Sequence, residues 1–159
     1  MRWSTEKMQD QTGKVVIVTG SNTGIGFQMA EALATKGATV ILACRNMEKA
    51  EAAKAKMLSK NPSASLIPVQ LDLADLSNVK RFSEKIASTQ KRIDILINNA
   101  GVMIPPKSTT KDGFELQIGT NHFGHFALTA HLLPLIEKSD TPRIVTVSSI
   151  VHNVGKIDF

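Results

Sequence analysis

Eight residues, Thr19-Gly20-Ser21-Asn22-Thr23-Gly24-Ile25-Gly26, carry the first chemical signal in the chain: a glycine-rich turn between a β-branched run and a helical pattern. Glycines let a backbone turn sharply and approach a pyrophosphate, and the N–H groups and positive end of the following helix supply the field for an anion. A lone glycine pattern is equally a flexible strand-to-helix turn. Its place directly after a strand, in a βαβ unit, favours a nucleotide. No Gly-Lys-Ser/Thr follows, so the loop is not a P-loop.

About twenty residues beyond such glycines, dinucleotide folds place an acid that binds the ribose 2′-hydroxyl. Here the second strand candidate ends in Ala43-Cys44-Arg45. A carboxylate would repel a 2′-phosphate, whereas the Arg45 guanidinium can pair with one, so NADP(H) is expected over NAD(H). An exposed arginine near a helix start is the plainer alternative, mildly unfavourable with the macrodipole. The missing acid also weighs against a methyltransferase.

The other reactive side chains form no recognisable site. His122, His125 and His131 share one helical stretch, but no third ligand and no HExxH pattern completes a metal set. His152 falls in a loop without an evident partner. Cys44, the single cysteine, reads as a small buried hydrophobe at a strand end, and GxSxG is absent.

These residues need a frame, and the hydrophobic pattern supplies one. Strand candidates at 14–19, 39–43, 65–70, 93–98 and 143–147 alternate with helical patterns at 25–36, 47–59, 76–90 and 113–137. Leu76, Val79, Phe82 and Ile86 keep helical spacing, as do Leu128, Leu132 and Leu135. Such alternation implies right-handed βαβ crossovers and a parallel sheet with helices on both faces. Gly37 sits where a helix stop belongs, Asn46 is an N-cap, and Asp112 with Glu115 reads as a capping box opening the last helix. The longest connection, 99–111, carries Pro105, Pro106 and the hydroxyl run Ser108, Thr109 and Thr110; loops of that length are usually functional or mobile.

Composition narrows the classes. The 159 residues are 42% apolar and 21% charged, which suits one globular domain spanning 1–159 and excludes collagen, low-complexity and disordered classes. A net charge of +5 is too diffuse for a nucleic-acid stripe, and Lys49, Lys54, Lys56 and Lys60 read as the solvated side of one helix. One cysteine gives no disulfide and no argument for an oxidising compartment, so the cytoplasm is the expected location. No apolar window approaches the length of a membrane span, and the first ten residues lack a signal-peptide layout.

Five motifs in order, Thr-Gly-x-x-x-Gly-Ile-Gly at 19–26, Asp72-Leu73, Asn98-Asn99-Ala100-Gly101, Asn121 and the run closing on Ser148-Ser149, resemble the short-chain dehydrogenases/reductases across essentially the whole chain. Trp3, ACRN at 43–46 and TNHFGHFAL at 120–128 are similar to the retinol dehydrogenase-like and protochlorophyllide reductase-like branch. The resemblance implies a doubly wound Rossmann-type sheet of order 3-2-1-4-5. It also implies that Gly20, Gly24 and Gly26 accommodate the pyrophosphate, together with Ser21, Asn22, Thr23 and Ile25 of the same loop. Asp72, with Leu73 beside it, would hold the adenine, and Asn98, Asn99, Ala100 and Gly101 would line the cofactor and brace the central strands. Ser149 would donate to a substrate carbonyl, and Asn121 would kink its helix and hold a water in a proton relay. Taken without the family, Asn121 is a poorly placed helix residue and Ser149 a turn serine.

The sequence departs from the family at one point. The family's acid/base is the tyrosine of a Tyr-x-x-x-Lys pair, and this sequence contains no tyrosine. The chain stops ten residues after Ser149, so the resemblance leads us to expect that the pair and the last strands of the fold are missing. Two function classes follow. One is an NADP(H)-dependent oxidoreductase for an alcohol or carbonyl substrate, apolar by analogy with the branch, to which these residues contribute the cofactor-binding part. The other is a noncatalytic module that binds dinucleotide or a protein partner. In either case the chain alone is expected to be inactive, and the outer edge of its fifth strand is expected to self-associate.

Overall fold

The computed structural model describes residues 4–153 and 155; Trp3 lies outside them. Strand β1 (Val15–Thr19) leads through a glycine turn into helix α1 (Gly24–Thr35), followed by β2 (Thr39–Cys44), α2 (Met47–Lys60), β3 (Ser65–Gln70), α3 (Leu76–Thr89) and β4 (Ile95–Asn98). A long connection then reaches the short helix α4 (Leu116–Ile118), a π turn (Gly119–Phe123), α5 (Gly124–Ile136), β5 (Arg143–Thr146) and a 3-10 turn (Ile150–Asn153). All strand pairs are parallel and the order is β3-β2-β1-β4-β5, as the resemblance implies.

Strand alternation divides the core in two. Val16, Val18, Val40 and Leu42 point towards α1 and α2, while Ile17, Ile41, Ala43 and Leu96 point towards α3 and α5. Each fully buried aliphatic side chain contributes on the order of 1.5–3 kcal/mol. Leu128, Leu132 and Leu135 of α5 and Val79, Phe82 and Ile86 of α3 are buried together, while Leu76 is only half-buried.

Local signals set the ends of the elements. Asn46 caps α2 by accepting from the Lys49 N–H at 2.9 Å. Gly37, at φ 91°, closes α1 in a Schellman motif, with the Gly37 and Ala38 N–H groups donating to the Ala34 and Leu33 carbonyls. The Asp112–Glu115 capping box does not form. Glu115 caps α4 by itself, accepting from the Gln117 and Ile118 N–H groups at 2.8 Å each, and Asp112 accepts from Leu76 N–H of α3 at 2.9 Å. The helical pattern expected over 113–137 is therefore not one helix: it begins at Leu116 and is widened by the π turn. Lys56 and Lys60 also do more than face solvent, since Lys56 Nζ lies 5.3 Å from the Phe27 ring centroid and Lys60 pairs with Glu31 at 2.8 Å, both across to α1.

At the amino ends of the strands, the buried Asp94 ties three segments together. Its Oδ2 accepts from Val15 N–H at 2.8 Å, and its Oδ1 accepts from Ser139 Oγ at 2.6 Å and Arg92 Nε at 2.9 Å. Burial pushes the carboxyl upward, and the three donors together outweigh that and hold it below its usual range.

Among the described residues, β5 forms one edge of the sheet, bonded only to β4, and all four of its residues are exposed. Ile144 and Val145 are 44% and 43% exposed. No helix among the described residues is long and apolar enough to cross a membrane.

Candidate dinucleotide site

β1 has β2 on one side and β4 on the other, so the chain reverses direction of travel across the sheet between β1 and β4. The loops leaving the carboxyl ends of these two strands part there, which is where open α/β sheets form their ligand crevice. A cleft of about 410 Å³ occupies this position. Gly20, Asn22, Thr23, Ile25 and Gly26 line one side, Arg45, Asp72 and Leu73 line the β2–β3 side, and Asn99, Ala100 and Gly101 line the β4 side. Most of the residues singled out from the sequence converge here.

The remaining ones sit elsewhere. Ser21 is buried behind the turn with its Oγ 3.4 Å from Cys44 Sγ, and burial raises the pKa of that thiol. Gly24 faces a larger, mainly apolar groove of about 1170 Å³ between α1 and the β4–β5 face. Asn98 is buried beneath the cleft and donates to Thr129 Oγ1 at 3.1 Å, tying β4 to α5. Ser149 and Asn121 do not line the cleft. Ser149 is exposed beyond β5 and its carbonyl accepts from His152 Nδ1 at 2.6 Å, so His152 does have a partner.

The three glycines perform different tasks. A Cβ on Gly26 would lie 2.6 Å from the Gly20 carbonyl oxygen and 2.4 Å from Asn99 Nδ2, and one on Gly20 would lie 2.9 Å from Ala100 Cα. These two glycines let the turn pack against the Asn99–Ala100 segment. Gly24, at φ 57° with open space around its missing Cβ, is required by backbone conformation instead. Thr23 provides no side-chain cap to α1, leaving the first N–H groups of a twelve-residue helix open to an anion, with no acidic residue in the first turn.

Around this turn the polar groups are partly spoken for. Asp72 Oδ1 accepts from Ala74 N–H at 3.0 Å, which holds the carboxylate, and the Asp72 N–H donates to Asn78 Oδ1 at 2.8 Å, which holds its backbone. Thr120 lines the same cleft, and its Oγ1 is buried with no partner. Such an orphan is costly unless something else meets it. Thr120 opens the TNHFGHFAL run at 120–128, but the sequence assigned it no role.

The loop after β4 is strapped down at both ends. Lys111 Nζ pairs with Asp75 Oδ2 at 2.8 Å, and the Lys111 N–H donates to the Ala74 carbonyl at 2.9 Å. Hydrogen bonds from Lys111 and Ser77 hold the Asp75 carboxyl far below its usual range. Nearer the cleft, Asn121 brackets Val102: its Oδ1 accepts from the Val102 N–H and its Nδ2 donates to the Val102 carbonyl, both at 2.8 Å. Asn121 stands in the middle of the π turn, and its side chain grips the loop. Gln117 Oε1 accepts from Ile104 N–H at 2.7 Å, securing the one non-glycine residue with positive φ among the described residues, Ile104 at 49°. The histidines of this stretch do not gather around a metal: no group of three His, Cys, Asp or Glu side chains suited to one exists among the described residues, and His125 turns inward while His122 and His131 are exposed.

Comparison with known proteins agrees with the geometry. Residues 14–159 match the family model for short chain dehydrogenase, and the chain belongs to the short-chain dehydrogenase/reductase family. It is 51% identical over 147 residues to human retinol dehydrogenase 13, an alignment that covers 92% of this chain and 44% of that protein. The chain spans about half the length of the curated relatives it matches. Among solved structures it is similar to an uncharacterized protein from Mycobacterium paratuberculosis, with a TM-score of 0.86 and 45% identity over 98% of this chain and 53% of that one. A short-chain dehydrogenase from Escherichia coli CFT073, solved with NADPH, superposes with a TM-score of 0.78 at 30% identity, over 91% of this chain and 62% of that one. The likeness places the chain in the retinol dehydrogenase-like branch.

Proposed function

We propose that the cleft binds NADP(H), and that the chain supplies the cofactor-binding part of an oxidoreductase acting on an apolar alcohol or carbonyl. One observation carries this: the uncapped start of α1, the Arg45 guanidinium and the Asp72 carboxylate open onto the same cleft at the β1/β4 crossover. Their spacing of roles suits a dinucleotide. The α1 N–H groups receive the pyrophosphate. Arg45, exposed at the end of β2, pairs with a ribose 2′-phosphate. Asp72 Oδ2 accepts from the adenine amino group, Leu73 packs beside the ring, and the unpartnered Thr120 hydroxyl gains a polar neighbour. The likeness to a structure solved with NADPH supports the same cofactor.

When bound, the nicotinamide supplies hydride exchange with the substrate carbon. The chain's own residues then hold the other partners. Gly101 and Val102, fixed by Asn121, line the cleft beside the nicotinamide half, and Ser149, just past β5, donates its hydroxyl to a substrate oxygen. These 159 residues contain no tyrosine, so a phenolic proton donor is not among them. The exposed edge of β5 supports self-association as one way the chain meets a partner.

Fluorescence titration with NADPH and NADH tests the proposal. NADPH should bind at least about tenfold more tightly, as a charge-assisted pair with a 2′-phosphate requires. Equal affinities would reject the role of Arg45, and no binding of either would reject the cleft assignment. An added apolar aldehyde should give no turnover with this chain alone. Turnover would show that another residue replaces the tyrosine.

A further inference from the structure

A buried polar network joins the cleft floor to the π turn through a histidine that the cofactor assignment does not use. His125 is 5% exposed and lies between the carboxyl end of β1 and the first turn of α5. Its Nδ1 is 2.9 Å from the Asn121 carbonyl oxygen and its Nε2 is 2.9 Å from Thr19 Oγ1. Thr19 is fully buried, and its hydroxyl oxygen accepts from the Asn99 and Ala100 N–H groups, both at 2.9 Å. The Thr19 carbonyl accepts from Asn99 Nδ2 at 2.8 Å.

Donor counting fixes every proton in this chain of contacts. A carbonyl oxygen only accepts, so Nδ1 of His125 carries a hydrogen and donates it to Asn121. The Thr19 oxygen uses both lone pairs on Asn99 and Ala100, so its own hydrogen must be donated. The nearest acceptor is His125 Nε2; the alternative, the Ile97 carbonyl, lies at 3.4 Å. The ring is therefore neutral and in a single tautomer. Burial, with the neighbouring His122 adding to it, pushes its pKa below the ordinary histidine value, against the opposing effect of the Asn121 carbonyl.

We propose that His125 is a positioning residue for the cofactor site: its neutral ring links the Asn121 carbonyl to the Thr19 hydroxyl and so fixes the Asn99–Ala100 segment that lines the cleft. The consequence runs in two directions. Towards the sheet, Thr19 is oriented to hold two backbone N–H groups, which keeps Ala100 against Gly20. Towards the helix, the π turn is fixed in the register that lets the Asn121 side chain bracket Val102. An apolar side chain of similar size would fill the space but leave both the Thr19 hydroxyl and the Asn121 carbonyl without this partner. The effect on cofactor affinity rests on the NADP(H) reading above, whereas the positioning itself does not.

Three variants, His125→Leu, His125→Gln and Thr19→Val, together with the unaltered chain, test the proposal by amide hydrogen exchange and NADPH titration. In His125→Leu and in Thr19→Val, the Asn99 and Ala100 amides should exchange about tenfold faster while Val40 and Leu42 in β2 keep their rates. His125→Gln places an amide oxygen near the Nε2 position and should restore most of the protection. The affinity for NADPH should fall and recover in the same order. In the unaltered chain, nitrogen shifts of the ring should show hydrogen on Nδ1 only. Protection of Asn99 and Ala100 that is unchanged in His125→Leu, acceleration spread equally over all amides, or a ring with hydrogen on Nε2 would overturn the proposal. Failure of the unaltered chain to bind NADPH would reject the cofactor reading instead, and the exchange pattern would still decide the role of His125.

Discussion

Replacing Asp94 with alanine should destabilise the chain by about 3–5 kcal/mol, the range for removing one member of a buried, hydrogen-bonded charged cluster. The side chain accepts from the Val15 N–H, Ser139 Oγ and Arg92 Nε at 2.8, 2.6 and 2.9 Å. Arg92 is about half exposed and is resolvated when the carboxylate goes, so it adds little. The Val15 N–H and the buried Ser139 hydroxyl are the costly ones, at about 1–3 kcal/mol each when left unpaired. Asp94→Asn keeps one acceptor and should lose roughly half as much. Urea unfolding followed by circular dichroism reads both, with the midpoint moving and the slope unchanged. A loss below about 1 kcal/mol for the alanine variant would refute the view that Asp94 clamps the amino ends of β1, β4 and β5.

Other outcomes follow from the same contacts. Arg45→Ala should weaken NADPH by roughly ten- to a hundredfold and leave NADH unchanged, since only the 2′-phosphate would lose a charged partner. Gly26→Ala should disrupt binding of either cofactor and cost about 1–3 kcal/mol of stability, because the new methyl meets the Gly20 carbonyl and Asn99; the corresponding change at Gly24 should act through backbone strain, so Asn is tolerated there better than Val. Stability should be lost in two stages on acidification. His125 has a depressed folded pKa, so its contribution is complete above about pH 6.5 and declines as pH falls below it; Asp94 and Asp75, also depressed, hold theirs until pH falls below about 4. His125→Gln should remove the first stage and keep the second. Concentration-dependent sizing should show self-association that a lysine at Val145 suppresses; a single monomer peak at all concentrations would reject the role of the β5 edge.

The parallel sheet with helices on both faces was legible in the sequence because β-branched runs and helical periods alternate without interruption; handedness alone leaves several strand orders open, and the order 3-2-1-4-5 came from the family resemblance. The glycine turn after the first strand was legible by itself as an anion site, whereas its meeting with the loop after the fourth strand depends on the strand order and so on the resemblance. What escaped the sequence is whatever depends on partners distant along the chain. Asp112 sits at capping distance from Glu115, yet its acceptor oxygen meets Leu76, thirty-six residues away, since the loop after β4 is strapped onto α3. His125 looked like one of three helical histidines, and its partner Thr19 is 106 residues earlier. The spacing of Asn121 and His125, one helical turn apart, was the only local sign that the two act together. The three glycines of the turn look alike as letters but differ in the structure: a Cβ would clash at Gly20 and Gly26, while Gly24 has open space and a positive φ.

Chemical-shift mapping of the labelled chain during titration with NADPH tests the central claim most directly. The account predicts saturable shifts at the amides of Gly20 to Gly26, Arg45, Asp72, Leu73 and Ala100, and none of comparable size at the exposed edge of β5. Shifts confined to the groove between α1 and the β4–β5 face, or no saturable shifts at all, would contradict it.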